Sequence, residues 1–194
     1  MKKKYWIILL IIIFVVIGIF FYKNRVKNSK IGNNKNSQEI VDYILNISSY
    51  EVNVTVNVTS NKNSNKYILK QTYQYPNKST QEVIEPSNIA GVKIENNGES
   101  TKIENSQLDL STILDNYNYL GNNCLDLYSF IEDYEKDERS GFEDTDTEII
   151  MKTSNKTLHI DKKTHNPVQM EIMDNKQKTT IYILYNEVKV SSTK

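Results

Sequence analysis

The chain of 194 residues holds one cysteine, one alanine and two histidines. Cys124 alone cannot close an intrachain disulfide, and no Cys-x-x-Cys pair is present for redox or zinc chemistry. Gly-x-Ser-x-Gly and P-loop motifs are also missing, which removes the sequence basis for a nucleophile-elbow hydrolase or a P-loop nucleotide enzyme. No segment repeats at a fixed period. Acid is absent from residues 1–30, which carry seven of the 24 Lys and Arg, so the remainder has a formal charge of −7. That balance is a poor footprint for nucleic acid, and no nucleic-acid partner is expected. The single alanine, Ala90, against abundant Asn, Lys and Ile is the bias that AT-rich codons produce. The Asn-x-Ser/Thr sequons at Asn46, Asn53, Asn57, Asn77 and Asn155 follow from that abundance of Asn and are not read as glycosylation sites.

What the chain does have is one uninterrupted apolar run, from Tyr5 to Tyr22. As a helix it spans about 27 Å, close to the roughly 30 Å of bilayer hydrocarbon. Tyr5, Trp6 and Tyr22 lie at its ends, where amphipathic rings suit the headgroup level. Its exit, Gly18-Ile19-Phe20-Phe21, is too bulky for signal cleavage, and no cysteine follows it for lipid attachment. Residues 5–22 are therefore expected to remain as a single-pass membrane anchor. Lys2, Lys3 and Lys4 precede the run while Lys23, Arg25, Lys27 and Lys30 follow it, so charge nearly balances across the membrane. Long hydrophilic domains translocate largely regardless of charge, which places residues 1–4 inside and the domain outside. The trailing basic cluster flanks the anchor beside lipid headgroups.

Residues 23–36 lack a hydrophobic period and read as a polar linker, leaving 37–194 as one domain long enough for a real core. It opens with a helix in which Ile40, Tyr43, Ile44 and Ile47 recur at helical spacing, preceded by Asn36 and Glu39 as a capping box. The period then becomes two. Tyr50, Val52, Val54, Val56 and Val58 alternate with polar residues, predicting a half-buried antiparallel strand over 50–59. A turn at 61–65 returns the chain along 66–75, with Tyr67, Leu69, Tyr73 and Tyr75 on one side. Shorter strands are predicted at 80–84, 92–95 and 101–104, the last two separated by an Asn96-Asn97-Gly98 turn signal.

Two helical patterns follow: Leu110, Ile113, Leu114 and Tyr117, stopped by Gly121, then Leu127, Phe130, Ile131 and Tyr134, capped by Asn122 or Asn123. Strands at 147–153, 156–161, 168–173 and 179–190 close the chain. With no βαβ alternation, this order gives an α+β domain on one mainly antiparallel sheet.

The stretch Leu158-His159-Ile160-Asp161-Lys162-Lys163-Thr164-His165-Asn166-Pro167, followed by Met170-Glu171-Ile172 and Asp174, resembles the closing strands of the LolA-like lipoprotein-carrier superfamily. Tyr73, Tyr75-Pro76, Glu82, Glu85-Pro86 and Gly91 are similar to its early strands and the loop before its helices. Within that superfamily, residues 108–134, notably Ser129-Phe130-Ile131-Glu132-Asp133-Tyr134, resemble the GerS group of clostridial spore germination lipoproteins. The resemblance implies a curved antiparallel half-barrel covered by short helices. In this setting Pro167 starts a strand after a turn and Asp161 bonds amides within that turn, so both act on the fold. The chain departs from the GerS pattern in lacking the lipid-attachment cysteine.

Chemistry-bearing clusters are sparse. His159 and Asp161 share a strand face and His165 follows, but no cysteine or further histidine completes a zinc-type set, so a solvated strand end is the better reading. Asp144-x-Asp146-x-Glu148 resembles a calcium loop, yet Ile149 stands where an EF-hand needs Gly, and an exposed acidic loop is expected. Cys124 reads as a small buried hydrophobe. The 13 tyrosines suit either a core or a partner interface. No catalytic, cofactor-binding or metal-binding residue is assigned, and partner-binding residues stay unassigned.

Three functions remain. The resemblance to GerS implies a non-catalytic envelope protein that binds a cell-wall N-acetylmuramoyl-L-alanine amidase during preparation of the spore cortex for germination. The wider superfamily implies a lipid or lipoprotein carrier, which needs an apolar cavity of several hundred Å3 between sheet and helices. A membrane-tethered envelope sensor is the third.

Overall fold

The structure, a computed structural model, describes residues 35–60, 63–105, 107–115, 125–174 and 178–192. The apolar run 5–22, most of the linker, Tyr117, Gly121, Asn122, Asn123 and Cys124 lie outside these residues. No described helix is long and apolar enough to cross a membrane.

Eleven strands form one sheet: β1 (Ile47–Thr59), β2 (Ser64–Gln74), β3 (Lys78–Glu85), β4 (Val92–Asn96), β5 (Ser100–Asn105), β6 (Leu110–Asp115), β7 (Gly141–Asp144), β8 (Glu148–Lys152), β9 (Lys156–Asp161), β10 (Pro167–Asp174) and β11 (Thr179–Ser192). Their order is β6-β5-β4-β3-β2-β1-β11-β10-β9-β8-β7. Neighbouring strands are consecutive in the chain except at the seam where β1 pairs with β11, so two antiparallel meanders, β1 to β6 and β7 to β11, are joined along the first and last strands. Helices α1 (Lys35–Leu45) and α2 (Leu127–Lys136) pack on one face.

Alternation decides which face. Val52, Val54 and Val56 are buried on β1 and face the same way as their partners Gln71, Leu69 and Tyr67 on β2 and as Tyr185 and Ile183 on β11. The register continues through Met170, Leu158 and Met151, all fully buried. The two helices add Ile40, Val41, Ile44, Leu127, Phe130 and Ile131 to the same core. On β11 an extra residue between the pairs Glu51–Lys189 and Asn53–Asn186 makes a bulge, with Glu187 at φ 52°. The bulge restores Val190 to the helix side opposite Tyr50.

The α+β prediction with one antiparallel sheet agrees with this architecture, and the closing strands match within a residue or two. Four local differences have physical causes. The pattern at Leu110, Ile113 and Leu114 belongs to β6, not a helix: in so short an apolar segment both periods fit, and pairing with β5 wins. Asn36 lies inside α1 instead of capping it, and Ile47 begins β1, because the helix starts at Lys35 and ends at Leu45. The cap of α2 is Asp126. Strand β7 was hidden in the acidic stretch after residue 132, where Phe142 is the one large apolar residue; it is a short edge strand paired with β8.

Candidate functional site

The two faces of the sheet differ in chemistry. On the helix face, Tyr50, Tyr73 and Tyr128 form a continuous stack, with ring centroids 5.5 Å and 4.3 Å apart. Tyr50, Tyr73 and Tyr185 are buried, so much of the tyrosine content belongs to the core. The start of α2 rests on polar side chains of the sheet: Gln81 Nε2 donates to Asp126 Oδ1 at 2.7 Å, and Gln71 Nε2 donates to the Leu125 carbonyl at 3.3 Å. Asp126 therefore spends its carboxylate on the sheet and makes no side-chain cap bond to its own helix. Burial pushes this carboxyl up to about 7, against lowering by Gln81 and by the charge of Lys156. Burial and the charge of Asp126 also raise the Tyr185 and Tyr50 hydroxyls.

The body of α2 is fixed by Lys156 at the start of β9. This buried ammonium donates to the Ser129 hydroxyl at 3.0 Å and the Ser129 carbonyl at 3.2 Å, and pairs with Asp133 at 2.7 Å. Burying an ammonium is costly unless it is paired and hydrogen-bonded, and here both conditions hold. Ser129 and Asp133, two members of the stretch singled out from the sequence, are thus anchors of the helix. Nothing in the residue pattern pointed to Lys156 as their partner.

The sequence candidates for metal chemistry diverge. His159 Nδ1 meets Glu148 Oε2 at 2.9 Å on the helix-free face, whereas His165, at φ 59°, lies edge-on to Tyr43 of α1. Asp161 Oδ1 accepts from the Thr164 amide at 2.7 Å, the Thr164 hydroxyl at 2.8 Å and the Lys163 amide at 3.1 Å, the turn role expected for it. Those bonds hold its carboxyl below the usual range. Asp144 is held by Lys162 and Ser37, away from Glu148. Among the described residues no group of three or more His, Cys, Asp or Glu gathers as metal ligands.

The helix-free face carries a groove of about 1070 Å3. Its centre is a cross-strand row in exact register, Glu51, Thr72, Thr80, Glu95 and Lys102, contributed by β1 to β5 in turn. Residues of β11 (Lys189) and β6 (Ile113), at opposite ends of that row, line the same space, so the sheet bends around this face as well. Thr72 and Thr80 share a hydrogen bond of 2.7 Å. Lys93 bridges Glu95 and Glu104, Lys102 pairs with Glu104, and Lys70 pairs with Glu51 at 3.1 Å. The hairpin between β4 and β5 closes one end, with Gly98 at φ 88° and its amide donating to Asn96 Oδ1 at 2.8 Å. A side chain at Gly98 would meet Asn77 at 2.8 Å, so this turn needs glycine for space as well as for backbone sign. Neither this groove nor its row was foreseen from the sequence, because the row exists only once register is known.

Solved structures similar to the chain include the GerS lipoprotein in complex with the CwlD amidase from Clostridioides difficile, at 21% identity, covering 84% of this chain and 95% of that one, with TM-score 0.43. A LolA superfamily protein from Nitrosomonas europaea is 12% identical, covers 81% of this chain and 94% of its own, and has TM-score 0.44. The Mycobacterium tuberculosis lipoprotein LppX is 14% identical, with 81% and 96% covered and TM-score 0.44. No curated protein matches the chain. The family described as sporulation protein YdcC-like matches residues 2–193, nearly the whole sequence, and the chain belongs to that family.

Proposed function

We propose that this protein is a non-catalytic, membrane-anchored envelope protein of sporulating cells that binds and supports a cell-wall N-acetylmuramoyl-L-alanine amidase in cortex modification and germination. The observation that carries the reading is membership of a sporulation family across residues 2–193. The amidase as partner comes from the resemblance of residues 129–134 to the GerS group, and from the partner that GerS has in its solved complex. Residues 5–22 supply the anchor, with the domain on the outer side of the cell membrane.

A scaffold role is further supported by the filled interface between sheet and helices. Leu127 and Phe130 of α2, Ile44 of α1 and Met170 and Leu158 of the sheet are all at most 1% exposed, which is packing of the kind a rigid binding module uses. A lipid carrier would hold its apolar cavity between those layers.

The test is capture of the full-length protein from sporulating cells followed by identification of co-purifying cell-wall enzymes, together with an amidase assay. The protein alone should not cleave peptidoglycan, and adding it should raise amidase activity or stability, because a partner that binds only the active fold shifts the population toward it. A deletion strain should form spores that germinate poorly and whose cortex lacks the amidase-dependent modification. Normal cortex chemistry in that strain, or stoichiometric lipid on the purified protein, would overturn the reading.

A further inference from the structure

We propose that Asn97, at the tip of the hairpin between β4 and β5, is a site of self-modification: the backbone nitrogen of Gly98 attacks its side-chain amide, which converts to aspartate and isoaspartate without an enzyme.

Three features of the turn carry the chemistry. Asn97 is the only asparagine of the chain followed by glycine, so no side chain stands on the residue that must close on it. Both residues are exposed, which admits the water that completes the reaction. The Asn97 side chain folds back over the turn, where its Oδ1 accepts the Ser100 amide at 2.8 Å, the Glu99 amide at 3.0 Å and the Ser100 hydroxyl at 3.3 Å. These donors polarise the side-chain carbonyl and stand ready to stabilise its oxygen as charge develops there, the device by which fixed amides assist acyl transfer. The Gly98 N–H donates to Asn96 Oδ1 at 2.8 Å, so an acceptor lies beside the nitrogen that has to lose its proton. Asn105 supplies an internal control. Its Oδ1 accepts the Gln107 amide at 3.0 Å and the Leu108 amide at 3.2 Å, the same pattern of donors, but the next residue in the sequence is Ser106.

The step balances with water as the one co-reactant. The Gly98 nitrogen gives its proton to solvent and bonds to Asn97 Cγ, the Cγ–Nδ2 bond breaks, and ammonia leaves a cyclic imide behind. Water then opens the imide. Attack at the side-chain carbonyl gives aspartate, and attack at the main-chain carbonyl gives isoaspartate, with the backbone routed through the former side chain. The two products differ in consequence. An aspartate keeps the oxygen that serves the three donors and adds negative charge to the wall of a groove that Lys78 also borders. An isoaspartate adds a methylene to a turn in which Gly98 already lies so near Asn77 that a Cβ would meet it at 2.8 Å, so this product loosens the hairpin from the β2–β3 turn.

The experiment is incubation of the full-length protein, folded in detergent and in parallel unfolded in urea, in mildly alkaline buffer made with heavy-oxygen water. Peptide mass mapping reads the amide-to-acid change and the incorporated oxygen at each asparagine, and methyl transfer by an isoaspartyl methyltransferase reads the isoaspartate. In the folded protein Asn97 should convert first, roughly tenfold faster than Asn105, and should yield both acids. Asn97→Gln, whose longer side chain closes a ring less readily, should stay an amide over the same period. Asn97 that stays intact in the folded protein while the unfolded chain converts would show that the turn protects it, and would overturn the proposal. Equal rates at Asn97 and Asn105, or acid at Asn97 without incorporated heavy oxygen, would overturn it as well.

Discussion

The two halves of the sheet solve the problem of a flat polypeptide layer in opposite ways. Strands β7 to β11, with β1 and β2, bury Ile149, Met151, Leu158, Ile160, Met170 and Ile183 completely beneath two helices. Strands β4 to β6 bury only Thr101 among their described side chains and instead carry the ion pairs of Lys93 and Lys102, with Leu110 and Ile113 each 62% exposed. Burial of an aliphatic side chain is worth about 1.5–3 kcal/mol, whereas an exposed ion pair is worth about 0–1. The difference teaches that one half supplies stability and leaves the other free to present polar groups, while the groove runs along the helix-free face of both, from Lys189 of β11 and Glu51 of β1 to Ile113 of β6.

The sharpest way to break this comparison is to put one charge at equivalent places in both halves. Val54→Asp on β1 should cost about 5 kcal/mol and prevent folding, because the carboxylate is fully buried without a partner. Ile94→Asp, on the same face of the outlying β4 and partly exposed, should cost less than half of that, and Thr55→Asp on the opposite face of β1 should be mild. Denaturant midpoints of the three variants give the ranking; equal costs at Val54 and Ile94 would show that both halves share one core.

A truncation series sharpens the same point. Phe130→Ala should lose about 3–5 kcal/mol from the packed half, and Ile103→Ala on β5 about 1 kcal/mol, since the first opens a cavity beneath α2 and the second removes a half-exposed side chain. Thermal unfolding of the two variants, measured on one scale, checks it.

Legibility in the sequence follows the same division. The alternation of Tyr50 to Val58 and the Asp161 to Pro167 turn were readable because one face of each is buried or its turn chemistry is local. β6 and β7 were not. Each is a short edge segment whose identity is decided by its neighbour, β5 or β8, and short apolar runs fit a helix and a strand equally. For the site, the motif residues Ser129 and Asp133 could be picked out but not their role, since Lys156 lies 27 positions from Ser129. The groove was illegible for a deeper reason. Glu51, Thr72, Thr80, Glu95 and Lys102 carry no motif, and only the accumulated register of five strands makes them a row.

The junction between the halves should respond to pH. Asp126 is ordinary when unfolded, near 3.9, and about 7 when folded, with Lys156, Tyr50 and Tyr185 as its titratable surroundings. Below about pH 4 both states hold the proton and nothing is lost. Between about pH 4 and 7 the folded state binds more protons than the unfolded one, so stability falls as pH rises, by roughly 2–4 kcal/mol in total, and then levels off. Asp126→Asn keeps a partner for Gln81, should flatten that slope and should be most stabilising above about pH 7. Unfolding at about pH 5, 6 and 8 measures it; an unchanged slope in Asp126→Asn would mean that this carboxyl is not the group that titrates.

The smallest effect belongs to the ion pairs of the outlying strands. Hydrogen bonding from Lys102 holds the Glu104 carboxyl below its usual range, so whatever the pair contributes is present above the unfolded carboxylate range and lost as pH falls through the lowered one. Both side chains are partly exposed to water, where long side chains must be ordered and salt screens the attraction. Lys102→Gln and Glu104→Gln should therefore move the unfolding midpoint slightly at low ionic strength and not at all in about 1 M salt. Phe130→Ala should keep its full effect in both. A midpoint shift at Glu104 that survives high salt would mean that these strands are held by packing after all, and the division between a stabilising half and a presenting half would fall.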